Sequence, residues 1–513
     1  MEKILTVKLH DMEIGRLEVT LNDEDARDLG LYSKDRVKIF LDGRGIVAFL
    51  NTTKTIVKKG EIGISRDFLT VSKIQDGEKV SVVPAERPRS VDYIRKKMKG
   101  IALTESEYEA IVKDVIANNL SEIELAAFVS AIYINEMSIE EAAFLAKKMA
   151  ESGEMLELKK KPIFDKHSIG GVPGNKITLL VVPIVAAAGL TIPKTSSRAI
   201  TSACGTADIM EVLAPVTFDA REIEEIVNKT NGVIAWGGGV NLAPADDIFI
   251  QVEYPLAIDP HYLALCSVMA KKYAVRANFV VIDLPMGEET KIGSMEEAKK
   301  YARDFMELGE RLGINVECAI TYGDKPIGRA VGPALEAREA LRALEGGENK
   351  VPSSVIEKST EIAGIILEAG GVAARGRGKE VALEYLSSGK ALQKMKEITA
   401  EQGGDARVTS NDIRVGKFSE KIISNGSGYV THISNRAIIQ ISRAAGAPKD
   451  KEAGILLNVT RGTKVERGDV LFEIYSDSEY KLEQALKLAA HMQPVVLEGM
   501  LLKRIPEYVI FEY

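Results

Sequence analysis

The stretch KHSIGGVPGNKIT, Lys166 to Thr178, runs directly into LLVVPIVAAAGL, an almost wholly apolar segment with helical character. A hydrophobic helix needs a core to bury it, and a chain that is 45% hydrophobic and 27% charged supplies one. The entrance to that helix is built of small residues, so unpaired main-chain N–H groups and the positive end of the helix dipole face outward, as in an anion site. Gly170 and Gly171 let the backbone approach a ligand closely, Lys166 adds a point charge, and Ser168 and Thr178 add hydroxyl donors. The spelling is neither the Walker pattern nor the Rossmann fingerprint. On these residues alone, a phosphate cradle and an ordinary glycine-rich turn both remain open.

At 513 residues the chain is too long for one ordinary domain, and roughly three or four are expected. The formal net charge of −7 gives no global field to attract nucleic acid or an anionic membrane. Any anionic substrate must therefore be held by local groups. Cys204, Cys266 and Cys318 lie far apart with no metal-ligand or disulfide spacing, which reads as reduced, buried thiols in the cytosol. The first residues, MEKILTVKLHDMEIGRLEV, lack the apolar core and cleavage site of a signal peptide. The longest apolar runs are broken by Pro183 or by glycine, short of a membrane span. A soluble cytoplasmic protein is expected. Abundant Lys and Glu with scarce Gln hint at a hot environment.

The pattern divides the chain into four. Residues 1–86 alternate polar and apolar in short runs such as RLEVTL, DRVKIFL and KVSVVP, which predicts a small N-terminal β-barrel. Pro88 marks a linker. In residues 87–161 capping boxes recur at Thr104/Glu107, Ser121/Glu124 and Ser138/Glu141, and Tyr108, Ile111, Val112, Val115 and Ile116 form one apolar stripe. This predicts three short helices in an all-helical domain, joined by further helices from about 245–275. Residues 162–415 mix β-branched runs (GVIAW, NFVVIDL, INVECAI) with amphipathic helices, one capped by Ser294 and Glu297. They predict an α/β core domain with a mostly parallel sheet, whose ligands bind at the carboxyl ends of the strands. Residues 416–513 return to short strands with one helix near KLEQALKLAAHM, a C-terminal α+β domain. Its stretch GTKVERGDVLFEIYS resembles a biotinyl-type hairpin without a lysine in the modified context, and is read as structural.

A second stretch, PKTSSRAITSACGTADIMEVL, sets Ser196, Ser197, Arg198, Thr201, Ser202, Gly205 and Thr206 between a strand near Thr191–Thr195 and another helix. Two anion-capable loops in one α/β domain suggest a substrate with two phosphates, or one phosphorylated substrate plus inorganic phosphate. These residues carry a resemblance. KHSIGGVPGNKIT is similar to the Lys-His-Ser-Thr-Gly-Gly signature of the thymidine and pyrimidine-nucleoside phosphorylases, SSRAITSACGTADIME to their Ser-Gly-Arg…Gly-Thr-Leu-Asp segment, and CSVMAKKYA to their Ser-Ile-Leu-Ala-Lys-Lys helix. The likeness runs from about Val91 through the C-terminal region. The extra N-terminal domain and the run Ser-Arg-Ala-Ile-Thr-Ser resemble an archaeal branch that acts on nucleoside 5′-monophosphates. That resemblance implies conversion of AMP and phosphate into adenine and ribose 1,5-bisphosphate, with CMP and UMP also accepted. It implies a homodimer or larger homo-oligomer; no cofactor is expected beyond phosphate as co-substrate, and no metal.

The same resemblance places Lys166, Ser168, Ser196 and Thr206 on inorganic phosphate. It places Gly171, Ser197, Arg198, Ala199, Ile200, Thr201, Ser202, Thr206, Ser267 and Lys291 on the nucleotide, Lys271 on the base, and Asp259 as the proton donor. The arginine with which nucleoside enzymes grip a pyrimidine carbonyl falls near Val252 here. Asp259 would need burial among Leu256, Ile258 and Pro260 to keep its proton near neutrality; without the family, an Asp before Pro is a helix cap. Lys291 equally reads as a loop lysine, and His167 as a residue that steadies the loop or touches the sugar. Asp283, Glu288 and Glu289 could bind a cation or simply be solvated. A pyrimidine-nucleoside phosphorylase, a magnesium-dependent phosphoribosyltransferase and a non-catalytic nucleotide sensor are the other readings.

Overall fold

The computed structural model describes residues 2–41, 43–199, 202–346 and 352–500. The chain forms two compact units, Met1–Gly153 with Ala243–Ala270, and Glu154–Leu242 with Lys271–Tyr513.

In the first unit, six strands close into a barrel: Lys3–His10, Glu61–Ser65, Glu18–Asn22, Arg44–Thr53, Arg36–Leu41 and Lys79–Pro84 in spatial order. Period-two alternation explains it, since Val19, Leu21, Val37, Ile39, Ile62, Ile64, Val80 and Val82 all point inward and are buried. The three expected capping boxes are all formed, opening the helices Glu105–Ile116, Glu122–Asn135 and Ile139–Glu151. Tyr108, Ile111, Val112 and Val115 are buried as the stripe predicts, whereas Ile116, on the last helical turn, is 40% exposed. Pro88 lies in coil at 85–88, and the residues after it form a further helix, Ser90–Met98, that the sequence reading did not give. It lacks a side-chain cap and is rich in basic residues, so neither start signal nor apolar period announced it. Arg36 of the barrel donates to Asn119 O at 2.8 Å and pairs with Glu124, binding the barrel to the helices within this unit.

In the second unit, three parallel strands run in the order Asn315–Tyr322, Phe279–Met286, Phe164–Ser168, and two more pair as Ile192–Ser196 with Gly232–Trp236. A parallel bridge from Ile163 to Thr191 joins the two sets. The apolar helix Thr178–Ala187 lies in the middle of the core, every residue but Ala187 buried. All five strands therefore deliver their carboxyl ends toward the same edge, where Ser168 pairs in register with Asp283 and Ser196 with Trp236.

The C-terminal part has strands Phe418–Ile423, Gly428–Ile433, Gly454–Leu457, Val470–Ser476 and Val495–Glu498 and helices Asn435–Ala444 and Glu479–Met492. The supposed hairpin is not one: Lys464–Val465 pairs with Gly428–Ile433, while Val470–Ser476 lies between Gly454–Leu457 and Phe418–Ile423 in a different sheet.

Candidate active site

The strand Phe164–Ser168 brings up the cluster on which the site is built. Lys166 is 2% exposed, and its Nζ lies 3.1 Å from Ser168 Oγ. Beneath it Lys272 Nζ pairs with Asp165 Oδ2 at 2.5 Å, Asp165 Oδ1 accepts from Lys166 N at 2.7 Å, and Lys358 Nζ pairs with Asp283 Oδ2 at 2.9 Å. Lys194, from the neighbouring strand, is buried as well and donates to the Thr195 carbonyl. Four buried lysines thus face two buried aspartates. Burial first, opposed by Asp283 and reinforced by Lys358, brings the Lys166 ammonium down to about 8. Burial and then Lys272 hold Lys194 well below the ordinary lysine value. The His167 imidazole is held well below its usual range by burial and then by Lys272 and Lys194, so it is neutral at pH 7. A site with surplus buried lysines is preorganised for an anion, because entering negative charge offsets the repulsion that otherwise drives these groups toward losing a proton.

The loop from Ile169 to Ile177 lies over this cluster. Gly171 is at φ +104°, and a Cβ there would stand 3.2 Å from Lys291 N and 3.3 Å from Thr290 Cα. Glycine is therefore required twice, by conformation and by the close approach of the Gly287–Gly293 loop. Lys176 anchors the far end of the loop: its wholly buried Nζ donates to Ile327 O at 2.8 Å, Ala330 O at 3.1 Å and Glu339 Oε2 at 2.7 Å.

The second loop is held differently from expectation. Asp208 Oδ2 accepts from Ala199 N at 2.8 Å and Gly205 N at 2.9 Å, so two amides of this loop meet a carboxylate of the chain and are not open to an anion. Arg198 donates to Glu211 at 2.7 and 2.5 Å and lies 4.8 Å from the Trp236 ring centre. Thr206 Oγ1 and Thr178 Oγ1 are 3.5 Å apart, joining the two loops. Ser196 Oγ donates to Ser197 O at 3.3 Å and Ser202 Oγ to Cys204 O at 3.2 Å. Ile200 and Thr201 lie outside the described residues.

The structure brings Lys166, Ser168, Gly171, Thr206, Lys291 and the loop residues Ser196 to Ala199 and Ser202 into the second unit, with Lys271. Asp259 and Ser267 belong to the first, where Ser267 Oγ donates to Asp246 Oδ2 at 2.7 Å. The apolar surround expected for Asp259 is not formed: Asp259 is exposed and Leu256 is 43% exposed, with only Pro260 buried. The helix Pro244–Leu256 ends at Ala257, which takes a left-handed φ of +51°, so Asp259 stands beyond the helix and not on its buried face. Lys194, Lys272, Asp165, Lys358 and Asp208 are functional candidates that pattern reading missed. The signal was there for Lys194 and Asp283, each a charge inside an otherwise apolar strand (TIPKTS, VVIDLP) near its carboxyl end.

The lowered Lys166 value has a consequence. Its ammonium persists below about pH 8 and is lost above it, so the dissociation constant for orthophosphate is expected to rise about tenfold per pH unit beyond that point. Calorimetric titration between pH 6.5 and 9.5 reads this directly, and a flat profile would remove Lys166 as the anion's partner.

Family models match three parts of the chain: the helical bundle domain of a glycosyl transferase family at residues 91–153, the a/b domain of that family at 160–392, and the pyrimidine nucleoside phosphorylase C-terminal domain at 429–495. The AMP phosphorylase of Thermococcus kodakarensis is 53% identical over 97% of this chain and 99% of its own length. Those of Methanosarcina barkeri and Pyrococcus furiosus are each 52% identical, over 98% and 97% of this chain and 98% of their own. Among solved structures, anthranilate phosphoribosyltransferase from Thermus thermophilus shares the fold, at a TM-score of 0.52 and 21% identity, over 61% of this chain and 99% of that one.

Proposed function

The chain belongs to the AMP phosphorylases of this glycosyl transferase family, and from that premise we propose how its residues carry out the reaction. The enzyme is a pentosyltransferase that cleaves the N-glycosidic bond of AMP with orthophosphate. A phosphate oxygen bonds to C1′ as the bond to N9 breaks, adenine leaves with a proton, and the pentose keeps its 5′-phosphate, giving ribose 1,5-bisphosphate. The observation that carries the reading is the buried lysine cluster at the end of the strand that leads into the Ile169–Ile177 loop, four lysine side chains against two carboxylates.

Lys166 and Ser168, with the loop amides, Ser196 and Thr206, hold orthophosphate below the anomeric carbon. Positioning alone can remove roughly 7–11 kcal/mol of barrier at best, and the phosphate's own charge stabilises the oxocarbenium-like sugar. Lys291 serves the 5′-phosphate, a role supported by its packing on Gly171; Ser197 to Ser202 line the same ligand, and Arg198 reaches it only by leaving Glu211. Ser267 and Lys271 contact the nucleoside part. CMP and UMP are accepted beside AMP. The assembly is a homodimer or larger and acts in the cytoplasm.

Asp259 delivers the proton to the departing base. Its side chain is exposed in the substrate-free chain, so it is open to a departing base. Asp259→Asn is expected to lower kcat on AMP by at least roughly 100-fold with little change in KM; steady-state rates of adenine release measure it, and wild-type turnover would take Asp259 out of the role.

The whole reading is tested by comparing AMP, adenosine, uridine and thymidine as substrates in phosphate buffer with EDTA present. Phosphate-dependent release of adenine from AMP, with the unphosphorylated nucleosides far slower, is the expected pattern. Preference for uridine or thymidine, or strict magnesium dependence, would overturn it.

A further inference from the structure

One helix of the C-terminal part touches both loops in which nucleotide contacts are placed above. At the N-terminus of Asn435–Ala444, the Glu289 carboxylate accepts from Ser434 Oγ at 2.9 and 3.0 Å and from Arg436 N at 2.9 Å. His432 Nε2 stands 4.0 Å away. Glu289 thus meets unpaired amides and the positive end of the helix dipole, where a carboxylate is most favoured. Neighbouring bonds tighten the joint: Asn435 Nδ2 donates to Gly323 O at 2.8 Å, and Glu288 N to Asp324 Oδ1 at 2.8 Å. At the other end of the helix, about 15 Å on, Arg443 Nη1 donates to Ser202 O at 3.0 Å. Just beyond it Lys451 pairs at 2.5 Å with Glu211, the same carboxylate that holds Arg198.

Within the described residues the Gly287–Gly293 loop is therefore fastened on two sides, to Gly171 of the phosphate loop and to this helix. The loop's own turn is short and internally bonded, Thr290 Oγ1 donating to Gly287 O at 2.9 Å and Ile292 O at 2.8 Å, so fixing Glu289 fixes Lys291 two residues on. We propose that Glu289 is a positioning residue for AMP, and that the helix Asn435–Ala444 is the strut that sets the spacing between the loop of Lys291 and the loop of Ser202. This rests on the reading of Lys291 as a 5′-phosphate contact. It gives the C-terminal part a task in substrate recognition.

The test uses full-length Glu289→Gln and, at the opposite end of the strut, Arg443→Met. Each is expected to raise KM for AMP about tenfold, leaving KM for phosphate and kcat at saturation within about twofold, with the melting temperature unchanged. A merely structural role would move the melting temperature and both KM values together, and that result, or an unchanged KM for AMP in both variants, overturns the proposal. Absence of phosphate-dependent adenine release in the wild type would instead defeat the functional reading on which it rests.

Discussion

Lys166→Met is expected to cut kcat/KM for phosphate by about 100- to 1000-fold while leaving the protein as stable as before or slightly more so. The two halves of this result come from the same fact. Lys166 is buried with Lys194, Lys272 and Lys358 against Asp165 and Asp283, so in the substrate-free enzyme its charge is a burden. Removing a desolvated, repelled ammonium relieves that burden. In the transition state the same ammonium faces the phosphate dianion inside a water-poor pocket, where loss of one preorganised partner costs about 3–4 kcal/mol. Thermal melting and steady-state kinetics on one variant read both effects. A large drop in melting temperature would show that Lys166 is structural, and near-normal phosphate kinetics would show that the anion binds elsewhere.

Lys176→Met is expected to do the opposite, unfolding the loop anchor rather than the chemistry. Its ammonium lies fully buried between two carbonyls and Glu339, and taking it away leaves a carboxylate in the core that, among the described residues, keeps the amides of Arg329 and Ala330 as donors. Breaking a buried pair in this way costs about 3–5 kcal/mol, enough to lower the melting temperature by several degrees. The double variant Lys176→Met, Glu339→Gln removes the stranded charge and is expected to recover much of the loss, the non-additivity that marks a coupled pair. Equal loss in the single and double variants would mean that packing, and not the ion pair, holds the loop.

The contrast between these two lysines shows what was legible in the sequence. Both lie in one thirteen-residue stretch, whose glycines and hydroxyls left a phosphate cradle and an ordinary turn both open. The stretch does not say which lysine serves the ligand and which the fold, because that depends on Glu339 and the Ile327 and Ala330 carbonyls, more than 150 residues away. The same holds for Asp208: on paper SSRAITSACGTAD offers free amides, and only the folded loop shows Ala199 and Gly205 spending theirs on that carboxylate. Capping boxes, alternating strands and the apolar helix were readable because their causes are local. The helix Ser90–Met98 was not, since its place comes from packing and not from caps. Asp259 shows the converse, that apolar neighbours in sequence are no guarantee of burial once the helix has ended at Ala257.

The most direct test of the central claim follows the phosphate atoms themselves. The enzyme, AMP and ¹⁸O-labelled orthophosphate are incubated and the products read by ³¹P NMR and mass spectrometry. The account predicts a pentose with two phosphorus resonances, the label confined to the phosphate on C1 and absent from the 5′-phosphate. Unlabelled ribose 5-phosphate beside free adenine would mean that water, not phosphate, attacks the anomeric carbon, and would contradict it.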